Sequence, residues 1–174
     1  LFVEEFSVPA ADISIRNFAW GDVPAITEIY KHYVDTSVCT FDTEAPDEAY
    51  IAEKWGHMVG LGHPAIVAIF EGRLVGFAYA SEYRSRPAYR FSCEDTVYIA
   101  ADMTGRGIGS ALLAELIRKS QAFGFKQMIG VIADEIDTSV KLHEKFGFSV
   151  LGRFPDLGYK FDRWLGIVHV QRAL

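Results

Sequence analysis

Cysteine is scarce in this chain: Cys39 and Cys93 stand far apart with no Cys-x-x-Cys spacing. That excludes a disulfide framework and a thiolate zinc site, and predicts a reducing, cytoplasmic setting with no metal. Long apolar runs are missing too, so no segment reaches the ~20 residues a membrane helix needs. The stretch Leu1 to Asp12 carries three acids and no base, without the basic start and apolar core of a secretory signal. Positive charge is also short, since 17 Lys and Arg against 23 Asp and Glu leave a net charge of −6. Such a balance speaks against nucleic acid or an anionic membrane as partner, while leaving room for a local basic patch. Polar tracts are few and half of the residues are apolar. A chain of this composition and length folds around its own core.

The expected organisation is an N-terminal tail over 1–12 and a single domain over 13–174. Ile13 to Phe18 reads as a strand, and Asp22 as the cap of a helix carrying Val23, Ile26, Ile29, Tyr30 and Tyr33 at the 3.6 period. Pro46 opens a second helix that runs to about Met58. Ile66 to Phe70, the Glu71-Gly72 turn and Leu74 to Ala80 form a hairpin, and Tyr89 to Ile99 continues the meander. Ile108, Leu112, Leu113, Leu116 and Ile117 share a helical face that Gly124 ends. Met128 to Ile132, a short helix at Val140 to Phe146, Val150 to Leu151 and Trp164 to Val170 complete the series. The order β-α-α-β-β-β-α-β-α-β-β predicts an α/β domain with a mixed sheet and helices on both faces.

The strand ending at Ile99 leads into Thr104-Gly105-Arg106-Gly107-Ile108-Gly109-Ser110 and then directly into a helix. Glycines there let backbone N–H groups converge where the helix N-terminus is partially positive, and Arg106 adds a charge-assisted phosphate contact. A Walker A loop is absent. The dinucleotide fingerprint fits poorly, because the loop follows a meander instead of opening a βαβ unit. A plain tight turn and a coenzyme A pyrophosphate nest remain.

Thr96 to Ile99, Arg106 to Ser110 and Leu142-His143-Glu144-Lys145-Phe146-Gly147-Phe148 together resemble the GNAT N-acetyltransferases. Phe41 with Thr43, Glu94, and the ending Gly158, Lys160, Phe161, Trp164 resemble more closely the branch that acetylates phosphinothricin and methionine sulfoximine. The likeness runs from about Ile13 to the C-terminus. It implies a GNAT-type, mostly antiparallel sheet, acetyl-CoA as donor, and an acceptor of amino-acid type. It also implies cofactor contacts at Val97, Tyr98, Ile99, Gly105, Arg106, Gly107, Ile108, Gly109 and Ser110. Two positions depart from the pattern: Thr104 replaces Gln or Arg, and Ile136 replaces an Asn. At roughly 1 kcal/mol per lost hydrogen bond, each departure is expected to weaken coenzyme A binding by up to about tenfold.

Acetyl transfer to an amine needs a base for the amine, a donor for the oxyanion and a proton for the departing thiolate. Glu94 shares a strand face with Thr96 and Tyr98, opposite Asp95. By composition alone it is an exposed acid or half of an ion pair; the resemblance implies that it is the base. His143 takes the general-acid role under the same resemblance, although a helical histidine is more often a packed or surface group. The oxyanion falls to a backbone N–H near Val97 to Ile99. Cys93 invites an acyl-cysteine route, against which the resemblance implies direct transfer.

Arg84 is the arginine that the resemblance aligns with the acceptor pocket, while Arg86 and Arg90 read as a solvated loop. Phe41 and Phe161 supply apolar walls. Residues near Lys160 are expected to reach a partner's site, implying a homodimer. Rival expectations are a polyamine or protein N-terminal acceptor, or an acyl-CoA sensor without activity.

Overall fold

The computed structural model describes residues 12–174, so the expected tail, Asp12 apart, lies outside the described residues. Strand β1 (Ile13–Asn17) leads through a 3-10 turn to helix α1 (Val23–Thr36) and then α2 (Glu48–Gly60). Asp22 does not cap α1. Its carboxylate closes the preceding turn by accepting the Ala19 N–H at 2.8 Å and takes the Arg16 fork at 2.7 Å on both oxygens. The cap of α2 is Asp47, which accepts the Tyr50 N–H at 2.8 Å, and Pro46 precedes it.

Strands β2 (Ala65–Phe70), β3 (Arg73–Glu82) and β4 (Ser92–Ile99) form the meander. Helix α3 (Ile108–Phe123), strand β5 (Gln127–Ala133) and helix α4 (Asp137–Lys145) follow, then β6 (Ser149–Lys160) and β7 (Arg163–Ala173). Gly124, at φ +110°, ends α3 as the sequence requires.

The β6 strand is far longer than its sequence suggests. Gly152, Pro155, Asp156 and Gly158 read as breakers, yet two register shifts in its pairing with β7 absorb them, with Asp156 at φ +54°.

All seven strands join one sheet in the order β1-β2-β3-β4-β5-β7-β6, antiparallel everywhere except between β4 and β5. Alternation along β2 shows how it is covered. Ile66 and Ala68 pack toward Leu112, Leu113 and Leu116 of α3, while Ala65 and Val67 pack toward Ile26 of α1 and Trp55 of α2. The expected mixed α/β sheet with helices on both faces is the fold observed. No helix among the described residues is long and apolar enough to cross a membrane.

Candidate active site

The parallel join of β4 and β5 lasts only three residue pairs, Ser92 to Gln127, Cys93 to Met128 and Glu94 to Ile129. Beyond Glu94 the two strands diverge. The Phe91 carbonyl serves the β5 side and the Ser92 carbonyl the β3 side. By alternation, the peptide groups of Asp95, Val97 and Ile99 therefore turn toward the gap. One of these, the Ile99 carbonyl, accepts the Tyr33 hydroxyl at 2.6 Å.

A cleft of about 690 Å³ occupies the gap. Val97, Tyr98, Ile99, Gly105, Gly107, Gly109 and Ser110 line it, seven of the nine positions at which the resemblance implies cofactor contact. Gly105 and Gly107 sit at φ +75° and +79°, the left-handed region that lets successive N–H groups converge at the start of α3. A Cβ on Gly109 would approach Ile99 Cδ1 to 3.0 Å, so glycine also lets the helix lie close against β4. These features suit a pyrophosphate at the helix N-terminus and an amide-bearing arm along the open edge of β4. Arg106 and Ile108 do not line the cleft. The Ile108 side chain is buried in the core against β3, which leaves only its backbone for a ligand. Thr104 and Ile136 both border the cleft, and the Thr104 hydroxyl is donated to the Ala101 carbonyl.

At the other end stands a carboxylate pair. Glu94, half-buried, lines the cleft. Burial raises its pKa above the ordinary glutamate value and the neighbouring Asp95 charge raises it further, against the opposing pull of Arg84 and Lys54. Asp95 turns to the opposite face and meets His143 of α4, with His143 Nε2 2.9 Å from Asp95 Oδ2. His143 Nδ1 donates to the Ser139 carbonyl at 2.7 Å, and the ring is only 4% exposed. Burial disfavours the imidazolium, but the bond to Asp95, its charge and the Ser139 carbonyl outweigh it and raise the pKa of His143. Sequence reasoning paired neither residue with the other.

The pair plugs the point where the strands part. Asp95 is the first residue beyond the last parallel pair on β4, and Gly130 holds the same position on β5. A Cβ on Gly130 would come within 3.2 Å of Asp95 Oδ1 and 3.2 Å of His143 Cδ2.

Cys93 is 0% exposed and does not line the cleft, and burial together with the Asp95 charge pushes its thiol upward. A thiol so placed is no acyl acceptor.

The acceptor-side wall is the loop after α1. Phe41 lines the cleft as expected. Lys160, 4% exposed, does not. Its ammonium donates to the Ser37 carbonyl at 2.8 Å and the Thr40 carbonyl at 2.9 Å, pinning that loop within its own chain. The Tyr98 hydroxyl donates to the Cys39 carbonyl, and the Tyr30 hydroxyl to Asp42 at 2.6 Å. Phe161, 51% exposed, and Arg84, stacked over the Tyr83 ring at 4.8 Å, both lie outside the lining. Phe41 rests on Gly158, where a Cβ would fall 2.3 Å from Phe41 Cε2. Gly158→Ala is therefore expected to displace Phe41 and raise acceptor KM several-fold, with acetyl-CoA affinity unchanged in calorimetry.

The match to the acetyltransferase (GNAT) family model covers residues 26–148. The chain belongs to that family, whose donor is acetyl-CoA. It is 41% identical to a phosphinothricin N-acetyltransferase of Alcaligenes faecalis over 92% of this chain and 82% of that protein. To an L-methionine sulfoximine/L-methionine sulfone acetyltransferase of Salmonella typhimurium it is 31% identical, over 93% of this chain and 95% of the relative. The crystal structure of a phosphinothricin acetyltransferase from Sinorhizobium meliloti in complex with AcCoA superposes with a TM-score of 0.92. That pair is 40% identical over 94% of this chain and 89% of the other.

Proposed function

We propose that this acetyltransferase moves acetyl from acetyl-CoA directly to the α-amino group of a small amino acid analogue of the methionine sulfone, methionine sulfoximine or phosphinothricin type. The observation that carries the proposal is Glu94 in the same cleft as the glycine loop, at the far end of β4 from it. The relatives' acceptors agree with it.

In this mechanism Glu94 takes the proton of the acceptor ammonium, directly or through water. The amine then attacks the acetyl carbonyl, and the N–H of Val97 or Ile99 on the open strand edge receives the oxyanion. As the tetrahedral adduct collapses, the C–S bond breaks, the nitrogen gives up its second proton to solvent, and the departing sulfur takes a proton from His143, leaving amide and free thiol. His143 is the proton donor as one half of its pair with Asp95, since both ring nitrogens are engaged and one bond must open for transfer.

A homodimer is part of the proposal. Leu151, Phe154, Leu157, Tyr159 and Trp164, the last 61% exposed, spread apolar surface over the β6–β7 hairpin. The free thiols Cys39 and Cys93 suit a cytoplasmic location.

The test is coenzyme A release from acetyl-CoA with L-methionine sulfone, L-methionine sulfoximine, L-phosphinothricin, a polyamine and an alanine-initiated peptide. Release confined to the amino acid analogues is the expected result. Release with the polyamine or the peptide alone would replace the acceptor class.

A further inference from the structure

An α-amino acid presents its cation and its anion on adjacent atoms. A site that receives the amine at Glu94 selects amino acids over simple amines most strongly when it also offers a cation a few ångströms away. Arg84, the cation singled out in the sequence, and Lys54 are both exposed and the charge of each bears on Glu94, but Arg84 lies outside the cleft lining. Among the described residues, Lys54 is the only lysine or arginine in that lining.

Lys54 reaches the cleft because of its place on α2. Ile51, Trp55 and Met58 bury one face of the helix against the sheet, which leaves Lys54 at the margin of that face. Its ammonium stands 5.5 Å from the centroid of the Tyr79 ring, a seat that favours a cation without neutralising it. Among the described residues Lys54 makes no ion pair. Tyr79 pairs with Thr96 across the sheet and Ser81 with Glu94. That register sets the cation's seat one same-face step along the sheet from the carboxylate.

We propose that Lys54 receives the acceptor's carboxylate and thereby restricts the enzyme to amino acids over simple amines. The assignment rests on the acceptor class given above and identifies the residue that enforces it. With Glu94 it forms a charge pattern complementary to a zwitterion: anion to ammonium, cation to carboxylate. The glycine loop already supplies the pyrophosphate site beyond the opposite end of β4, so Lys54 is not needed there.

The experiment compares L-methionine sulfone with its decarboxylated counterpart, 3-(methylsulfonyl)propan-1-amine, in the wild type and in Lys54→Met, Lys54→Arg and Arg84→Ala. The readout is the ratio of kcat/KM for the two acceptors, which a general loss of structure leaves unchanged. Loss of one charge-assisted contact is expected to lower that ratio about 10- to 100-fold in Lys54→Met. Lys54→Arg, which keeps the charge, is expected to retain most of it. A wild type active on the sulfone, with an unchanged ratio in Lys54→Met or a selective loss in Arg84→Ala alone, overturns the role of Lys54 only. A wild type that acetylates neither compound overturns the acceptor class itself, and the role of Lys54 with it.

Discussion

Glu94→Gln is expected to lower kcat about 10²- to 10⁴-fold, the range a positioned general base contributes, with acetyl-CoA affinity within about twofold of wild type. The separation follows from geometry. Glu94 sits at one end of the cleft and the glycine loop at the other, so the donor's phosphates never meet the substituted group. Stopped-time thiol release and calorimetric titration of acetyl-CoA measure the two quantities independently.

The pH dependence carries a further signature. The base works as a carboxylate, and burial and the Asp95 charge raise its pKa. The acid limb of kcat/KM is thus expected above the ordinary glutamate range of about 4.3, and is expected to vanish in Glu94→Gln. Removing the Lys54 cation should move the limb to higher pH, and removing the Asp95 charge to lower pH. Full activity in Glu94→Gln would remove the base assignment altogether.

His143→Ala is expected to cost both fold and rate. It leaves the Asp95 carboxylate buried and unpaired, a change typically worth about 3–5 kcal/mol. The denaturation midpoint in urea should fall accordingly, and kcat should fall more than KM for acetyl-CoA rises.

Asp95→Asn separates charge from packing, because the amide fills the same space. The folded pKa of His143 is raised, so the native state holds its proton more tightly than the unfolded chain does. The stabilisation this provides is complete below the unfolded value of about 6.5 and is lost as pH rises through the folded pKa. The stability gap between wild type and Asp95→Asn should therefore be wide at pH 5.5 and narrower at pH 8.5. A gap that does not change with pH would mean that His143 is not held as the cation.

What the chain reveals of this site depends on the span of each contact. The glycine loop is legible because its signals are local: glycines at positive φ, a strand before and a helix after. The strand face of Glu94 is likewise readable from alternation, whereas its role as base comes from the resemblance alone. The partner of Asp95 is not, because His143 lies 48 residues away and meets it only once α4 crosses the sheet. Lys160 illustrates the same limit. Its carbonyl partners lie 123 and 120 residues away, and the ending that contains it carries no local sign of the two hydrogen bonds by which it holds the loop after α1. Lys54 has no signal at all, since one lysine on an amphipathic helix reads as solvated. β6 was hidden because bulges let a strand carry Gly, Pro and Asp that would stop a straight one.

The short parallel join has a wider consequence. Strands β1 to β4 and strands β5 to β7 are each laced antiparallel over most of their length, whereas within the sheet only three residue pairs join the two halves. The midline of the molecule is thus a partly undone zipper, and the pantetheine arm, with its two amides, is chemically equipped to serve as the missing rungs. A donor seated there would bridge the halves while it remained in place, and that bridge would be made and released with every turnover. An enzyme built this way would couple the rigidity of its own sheet to the concentration of the molecule it consumes.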